Sequence, residues 1–123
     1  MNDSQTVSYL ISKTTGEILA DRVKVADTFL GRLRGLMFTS HLGPGEGLLI
    51  EPCTSIHMMF MRYPIDAIFL DKDNRVVACY DILSPWWGFS SWHRDAAKVL
   101  ELPAGVCKKA GVKAGEMLLV QPA

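Results

Sequence analysis

The chain has 123 residues, of which 49% are hydrophobic and 21% are charged, a balance typical of one globular domain covering residues 1–123. Its 13 basic and 13 acidic residues cancel, which argues against a protein that binds nucleic acid mainly through phosphate contacts. The sequence has no apolar stretch of membrane-spanning length and no secretory signal at its beginning. We therefore expect a cytoplasmic protein without a membrane partner.

The first part of the chain predicts two strands followed by a helix. Residues 7–11 and 18–25 have strand composition, and Gly16 in the turn between them supplies the positive φ that a tight hairpin needs. The apolar residues of 27–38 then recur with helical spacing, which predicts one buried helix face. The segment GPGEG, 43–47, is a turn-rich loop, and its glycines match neither phosphate-binding pattern.

The second part of the chain predicts short strands joined mostly by turns. The segment DKDN, 71–74, has the Asp and Asn residues that favour a turn and lacks the glycine and glutamate of an EF-hand loop. These features predict a mainly β (α+β) fold, a small antiparallel and partly closed barrel-like sheet with two short helices at its edges. The predicted strands are 48–50, 65–70, 75–82, 98–103 and one within 112–120, and the second helix lies within 103–111.

Five motifs are similar to those of a known family. They are RGLMF (34–38), GLLIEP (47–52), FMRYPIDAIFLDKDNRVV (60–77), VLELPAG (99–105) and AGEML (114–118). The same motifs occur in the same order in domain of unknown function 192, and the similarity extends from about residue 7 to the end. The resemblance implies a compact, β-rich single domain found in bacteria and archaea. It implies no activity, because none is established for the family.

The stretch SIHMMFMRYPIDAIFLD, 55–71, is the most unusual in composition. In a strand, His57, Met59 and Met61 would share one face, and an imidazole with two thioethers suits Cu(I). The other face is equally apolar, which is typical of a buried strand filled with methionine. A core strand is therefore the favoured interpretation, and a copper-handling protein is one alternative.

Arg62 and Asp66 are candidate ligand-binding residues within the same stretch. Arg62 could hold an anionic group while Asp66 orients it or acts as a base. A small hydrolase or transferase that uses His57 or His93 as base is a second alternative, although no nucleophile motif stands nearby. The structural interpretation is an ion pair, or an Asp66 carboxylate that accepts hydrogen bonds from backbone amides.

Residues 83–97 form a loop with an unusual number of aromatic side chains. It either packs as a lid over the barrel or presents a surface that stacks on a ligand or partner. We favour a small, non-catalytic binding or accessory domain with a pocket under this loop, its ligand being a saccharide, a small anion or another protein. The predicted ligand-binding residues are Arg62, Asp66, Trp86, Trp87, Trp92, His93 and Arg94, and Phe89 adds a fourth aromatic ring to the loop.

The three cysteines, Cys53, Cys79 and Cys107, are too scattered to match a CxxC motif. Such a set is typical of reduced thiols in a reducing compartment. The apolar neighbours of Cys79 and Cys107 indicate buried, inert thiols. We expect no cofactor.

Overall fold

The computed structural model describes residues 8–26, 42–55 and 62–123. Within these residues the chain forms seven strands and one short helix. The predicted helix over 27–38 lies outside the described residues, as do His57, Met59 and Met61. The strands are β1 (Tyr9–Lys13), β2 (Ile18–Ala26), β3 (Glu46–Ile50), β4 (Ile65–Leu70), β5 (Val76–Leu83), β6 (Lys98–Pro103) and β7 (Leu118–Pro122), and the helix is α1 (Val106–Ala110).

The seven strands form a single curled sheet in the order β5-β4-β6-β3-β2-β1-β7. The β2–β3 pair is parallel, whereas the other neighbouring pairs are antiparallel. The sheet curls far enough for its two outermost strands to approach each other, where Arg75 bridges to Met117. Strands β1 and β7 come from opposite ends of the described chain, and Tyr9 pairs with Pro122. The predicted mainly β, partly closed sheet is confirmed.

The turn between β4 and β5 forms through the aspartate that opens it. Asp71 Oδ1 accepts hydrogen bonds from the backbone amides of Asp73 and Arg75, each at 2.9 Å. These bonds, led by that from Arg75, lower the pKa of Asp71. Asn74 has φ 68°, a left-handed conformation that asparagine tolerates well. The turn predicted for DKDN is therefore confirmed.

Two glycines are required where the sheet turns or packs closely. Gly16 has φ 98° and donates its amide to the Lys13 carbonyl at 2.9 Å, which closes the β1–β2 turn. Gly47 lies in β3, where a Cβ atom would stand 3.1 Å from the Leu102 side chain and 3.3 Å from the Glu101 carbonyl. A side chain at this position would require these neighbours to shift by a few tenths of an ångström.

Strand β4 is buried on both faces and divides the core in two. Ile68 and Leu70 face a first core, which includes Cys107 of α1. Ile65 and Phe69 face a second core on the other side of the strand. The six consecutive buried residues of β4 confirm that this part of the 55–71 stretch is a core strand. No helix within the described parts of the chain is long and apolar enough to cross a membrane.

Candidate functional site

The aromatic loop, residues 84–97, joins β5 to β6 and is anchored at its C-terminal half. Tyr80 Oη lies 2.7 Å from His93 Nε2 and accepts the Ser91 amide at 3.0 Å. The His93 amide donates to the Thr54 carbonyl at 2.8 Å, and the Ala97 amide donates to the Leu70 carbonyl at 2.8 Å. These bonds hold residues 91–97, which we call the root of the loop, against the body of the domain.

Three aromatic rings pack together beneath this root. Phe69 and His93 have ring centroids 4.8 Å apart, and Tyr80 and His93 have centroids 5.5 Å apart at an interplanar angle of 66°. Phe69 also contacts Tyr80 edge to face, at 5.8 Å and 70°. Such tilted contacts are the favoured geometry for aromatic pairs. These ring contacts connect the loop to Phe69 in the second core.

The remaining aromatic side chains of the loop face solvent. The exposed fractions are 50% for Trp86, 86% for Trp87, 72% for Phe89 and 70% for Trp92. The Arg94 guanidinium carbon lies 5.9 Å from the Trp92 ring centroid, within cation–π range. A lid that keeps the core dry would bury these rings, whereas here they lie at the surface of the domain.

Trp86 has an unusual backbone conformation at the start of this surface. Its φ is 68°, in the left-handed region that bulky residues rarely adopt. The Gly88 amide donates to the Ser84 carbonyl at 2.9 Å, and the Trp87 amide donates to the Pro85 carbonyl at 2.8 Å, so a tight turn surrounds Trp86. Strain of this kind persists where the surrounding structure enforces it, and it clusters at binding sites.

Asp66 and Arg62 are separated by their environments. Asp66 is fully buried, whereas Arg62 is exposed. The Asp66 carboxylate accepts three backbone amides, from Ile82 at 2.8 Å, Gly105 at 3.0 Å and Cys107 at 2.8 Å. Asp66 therefore makes the backbone hydrogen bonds of the structural interpretation. These bonds connect β4, β5 and the start of α1.

The structure brings His93 and Asp66 to opposite faces of β4. His93 contacts Phe69 on the side of the second core, and Asp66 bonds Cys107 on the side of the first core. The His93 ring is paired with Tyr80. The predicted site residues of the loop, Trp86, Trp87, Trp92, His93 and Arg94, thus lie in one segment, while Asp66 belongs to the interior.

A buried glutamate was missed by the sequence analysis. Glu101 lies in the middle of β6, between the pairing partners Leu48 and Ala67, and only 7% of it is exposed. Burial raises the pKa of Glu101 to about 7. The available signal was a charged residue inside the apolar strand sequence VLELP, because a strand buried on both faces has no solvated position for a carboxylate.

A second missed group consists of Cys79, Asp81 and Cys107. Their sulfur and carboxylate oxygen atoms all lie within 4.8 Å of one another. The hydrogen bond between the two thiols lowers the pKa of Cys79 and raises that of Cys107. The spacing of Cys79 and Asp81 indicates a shared strand face. The approach of Cys107 has no sequence signal, since this residue belongs to α1.

The curled sheet and its aromatic loop form a small, mainly β domain, and comparisons with known proteins assign it to a family. Residues 10–120 match the family described as Uncharacterized ACR, domain of unknown function 192. The chain belongs to this family, as its motifs predicted.

Relatives of known sequence and structure agree with this assignment. A UPF0127 protein of Thermococcus sibiricus is 37% identical over 111 residues, covering 87% of this chain and 71% of the relative. A crystal structure of a protein of unknown function from Novosphingobium aromaticivorans has a TM-score of 0.78 and 26% identity, covering 93% and 84% of the two chains. A protein from Sinorhizobium meliloti, named as a candidate transcription regulator, has a TM-score of 0.79 and 25% identity, covering 94% and 93%. Archaeal and bacterial proteins thus share this fold.

Proposed function

We propose that this chain is a non-catalytic binding domain whose aromatic loop docks against a protein partner. The observation that carries the proposal is the exposure of four large aromatic side chains, from 50% to 86%, within a loop of the described chain. Tryptophan, phenylalanine and arginine are enriched at the centres of protein interfaces, where they supply most of the binding energy. Water-facing rings in such numbers are otherwise unfavourable for a lone domain.

The chemistry of the loop favours a protein over a saccharide or a small anion. Phe89 offers no hydrogen bond, and Trp87 stands almost clear of the domain, so neither ring lines a polar groove of the kind that would read sugar hydroxyls. Arg94 is stacked over Trp92, an arrangement that presents a flat apolar face with a charged edge. Flat, mixed surfaces of this type suit another protein.

The anchored root supports tight binding. His93 and Ser91 are bonded to Tyr80, so the loop starts from a fixed base and loses less conformational freedom when a partner binds. The name given to the Sinorhizobium protein does not lead us to propose DNA binding, because the basic and acidic residues here balance at 13 each. We further propose a cytoplasmic location, where the three cysteines, which form no disulfide, would stay reduced.

The test compares partner capture by three forms of the full chain: wild type, Trp87→Ala with Trp92→Ala, and Ile18→Ala. Ile18 is the matched control, because it is 56% exposed and lies in β2, outside the loop. A partner captured by wild type and by Ile18→Ala would be identified by mass spectrometry, purified and titrated by calorimetry. The double variant is expected to bind at least about tenfold more weakly, as for interface hot spots.

Three results would contradict the proposal. The first is a purified partner that binds the double loop variant as tightly as it binds wild type. The second is loop-dependent binding to a glycan array, and the third is loop-dependent sedimentation with lipid vesicles, since exposed tryptophans also insert at membrane interfaces. Circular dichroism of each variant would verify that the fold is retained.

A further inference from the structure

We propose that Cys79, Asp81 and Cys107 form a binding site for a thiophilic divalent cation of the Zn²⁺ class. The two sulfur atoms and a carboxylate oxygen lie within 4.8 Å of one another. Around one tetrahedral zinc ion, with Zn–S distances of about 2.3 Å, neighbouring sulfur ligands stand about 3.8 Å apart. Small side-chain movements would therefore bring the three atoms to ligand distance. This inference is independent of the aromatic loop.

The ligands come from two elements that face each other. Cys79 and Asp81 are two residues apart in β5, so their side chains leave the same face of the sheet. Cys107 is in α1, which packs on this face, and it belongs with Cys79 to the first core. Cys107 is buried, Cys79 is half-buried and Asp81 is exposed, so the site has a buried floor and an open side. A fourth ligand could enter from solvent.

Asp66 fixes the backbone on both sides of this site. Its Oδ2 accepts the amide of Cys107 at 2.8 Å, and its Oδ1 accepts the amide of Ile82, which follows Asp81, at 2.8 Å. One buried carboxylate therefore positions the strand and the helix that carry the ligands. A backbone fixed in this way limits the movement of the side chains that would bind the ion.

The electrostatic surroundings favour a cation. The negative charges of Asp81, Asp66 and Glu116 all act on the Cys79 sulfur. When a divalent ion binds, both thiols release their protons to solvent, and two thiolates and one carboxylate coordinate the metal. Thiolate ligands select zinc-like ions over Mg²⁺ and Ca²⁺, which require oxygen ligands.

The test is a titration of the untagged, reduced full chain with Co²⁺ and then Zn²⁺ under anaerobic conditions. Co²⁺ is expected to bind with one ion per chain and to give the thiolate-to-cobalt charge-transfer band and intense visible bands of a tetrahedral site, which Zn²⁺ then displaces. Cys79→Ser and Cys107→Ser are expected to remove the charge-transfer band or weaken binding at least about 100-fold. Cys53→Ser is the matched control, because Cys53 packs against the second core and should leave the titration unchanged.

Asp81→Asn keeps the test informative if a buried cysteine variant fails to fold. Asp81 is exposed, so the substitution should leave the midpoint of the unfolding transition unchanged. It should weaken cobalt binding about tenfold or more. The proposal is overturned if wild type binds neither ion, if the cobalt spectrum survives in both cysteine variants, or if Cys53→Ser abolishes it.

Discussion

Replacing Glu101 by glutamine is expected to stabilise the protein in a pH-dependent way. Burial raises the pKa of Glu101 from the ordinary value of 4.5 to about 7. At a pH between these two pKa values, the carboxyl group has lost its proton in the unfolded chain but still binds it in the folded chain. The free energy of unfolding of the wild type therefore falls as the pH rises from about 4.5 to about 7, and this loss persists above pH 7.

The magnitude follows from the distance between the two pKa values. They differ by about 2.5 pH units, and each pH unit corresponds to about 1.4 kcal/mol, so the ionised carboxylate costs about 3 kcal/mol at pH 8. Glutamine at position 101 has the same shape and no charge to bury, so it avoids this cost. The stability of Glu101→Gln relative to wild type should therefore increase by about 3 kcal/mol between pH 4 and pH 8.

The assay is urea unfolding followed by far-ultraviolet circular dichroism at pH 4 and pH 8. Glu17→Gln is the matched control, because Glu17 is exposed in the β1–β2 turn and its substitution should change stability equally little at both values. A difference between Glu101→Gln and wild type that is the same at pH 4 and pH 8 would refute the reasoning. A variant that loses stability as the pH rises would show that the folded protein favours the ionised carboxylate.

Two further substitutions test the hydrogen bonds of the interior and of the loop root. Asp66→Asn should lower the free energy of unfolding by about 2–4 kcal/mol, because the new amide nitrogen cannot accept the backbone N–H groups. Urea titration would measure this change. An effect no larger than that of the exposed control Asp73→Asn would contradict the prediction. Tyr80→Phe should lower the free energy of unfolding by about 1–2 kcal/mol and speed hydrogen exchange at the Ser91 amide. Unchanged protection of this amide would show that the bond does not anchor the loop.

The parts of the fold that follow from local sequence could be predicted. The apolar run of β4 predicted a strand buried on both faces, and DKDN predicted the turn after it, because Asp71 bonds its own neighbouring amides. The final strand was placed less closely, since β7 begins at Leu118. Its bounds follow from pairing with β1, where Leu118 pairs with Lys13 and Pro122 with Tyr9, and no local pattern specifies a contact between such distant residues.

The parts of the candidate site that depend on distant contacts could not be predicted. The exposure of Trp87 depends on how the loop packs on the domain, and the bond between Tyr80 and His93 that anchors the loop joins it to a strand. The composition of the loop allowed a lid as readily as a binding surface. Cys79 and Cys107 were expected to be inert because each was considered alone, whereas the packing of α1 on β5 makes them neighbours.

The adjacency of β1 and β7 has a consequence for how the molecule folds. Tyr9 pairs with Pro122, and the Ala123 amide donates to the Ser8 carbonyl at 2.9 Å. Nearly the whole described chain must therefore close into one large loop before this pair of strands forms, and the entropy of that closure is lost before the contacts compensate for it. Domains with such non-local pairing fold in milliseconds to seconds, and until β7 arrives the outer edge of β1 remains open to other strands.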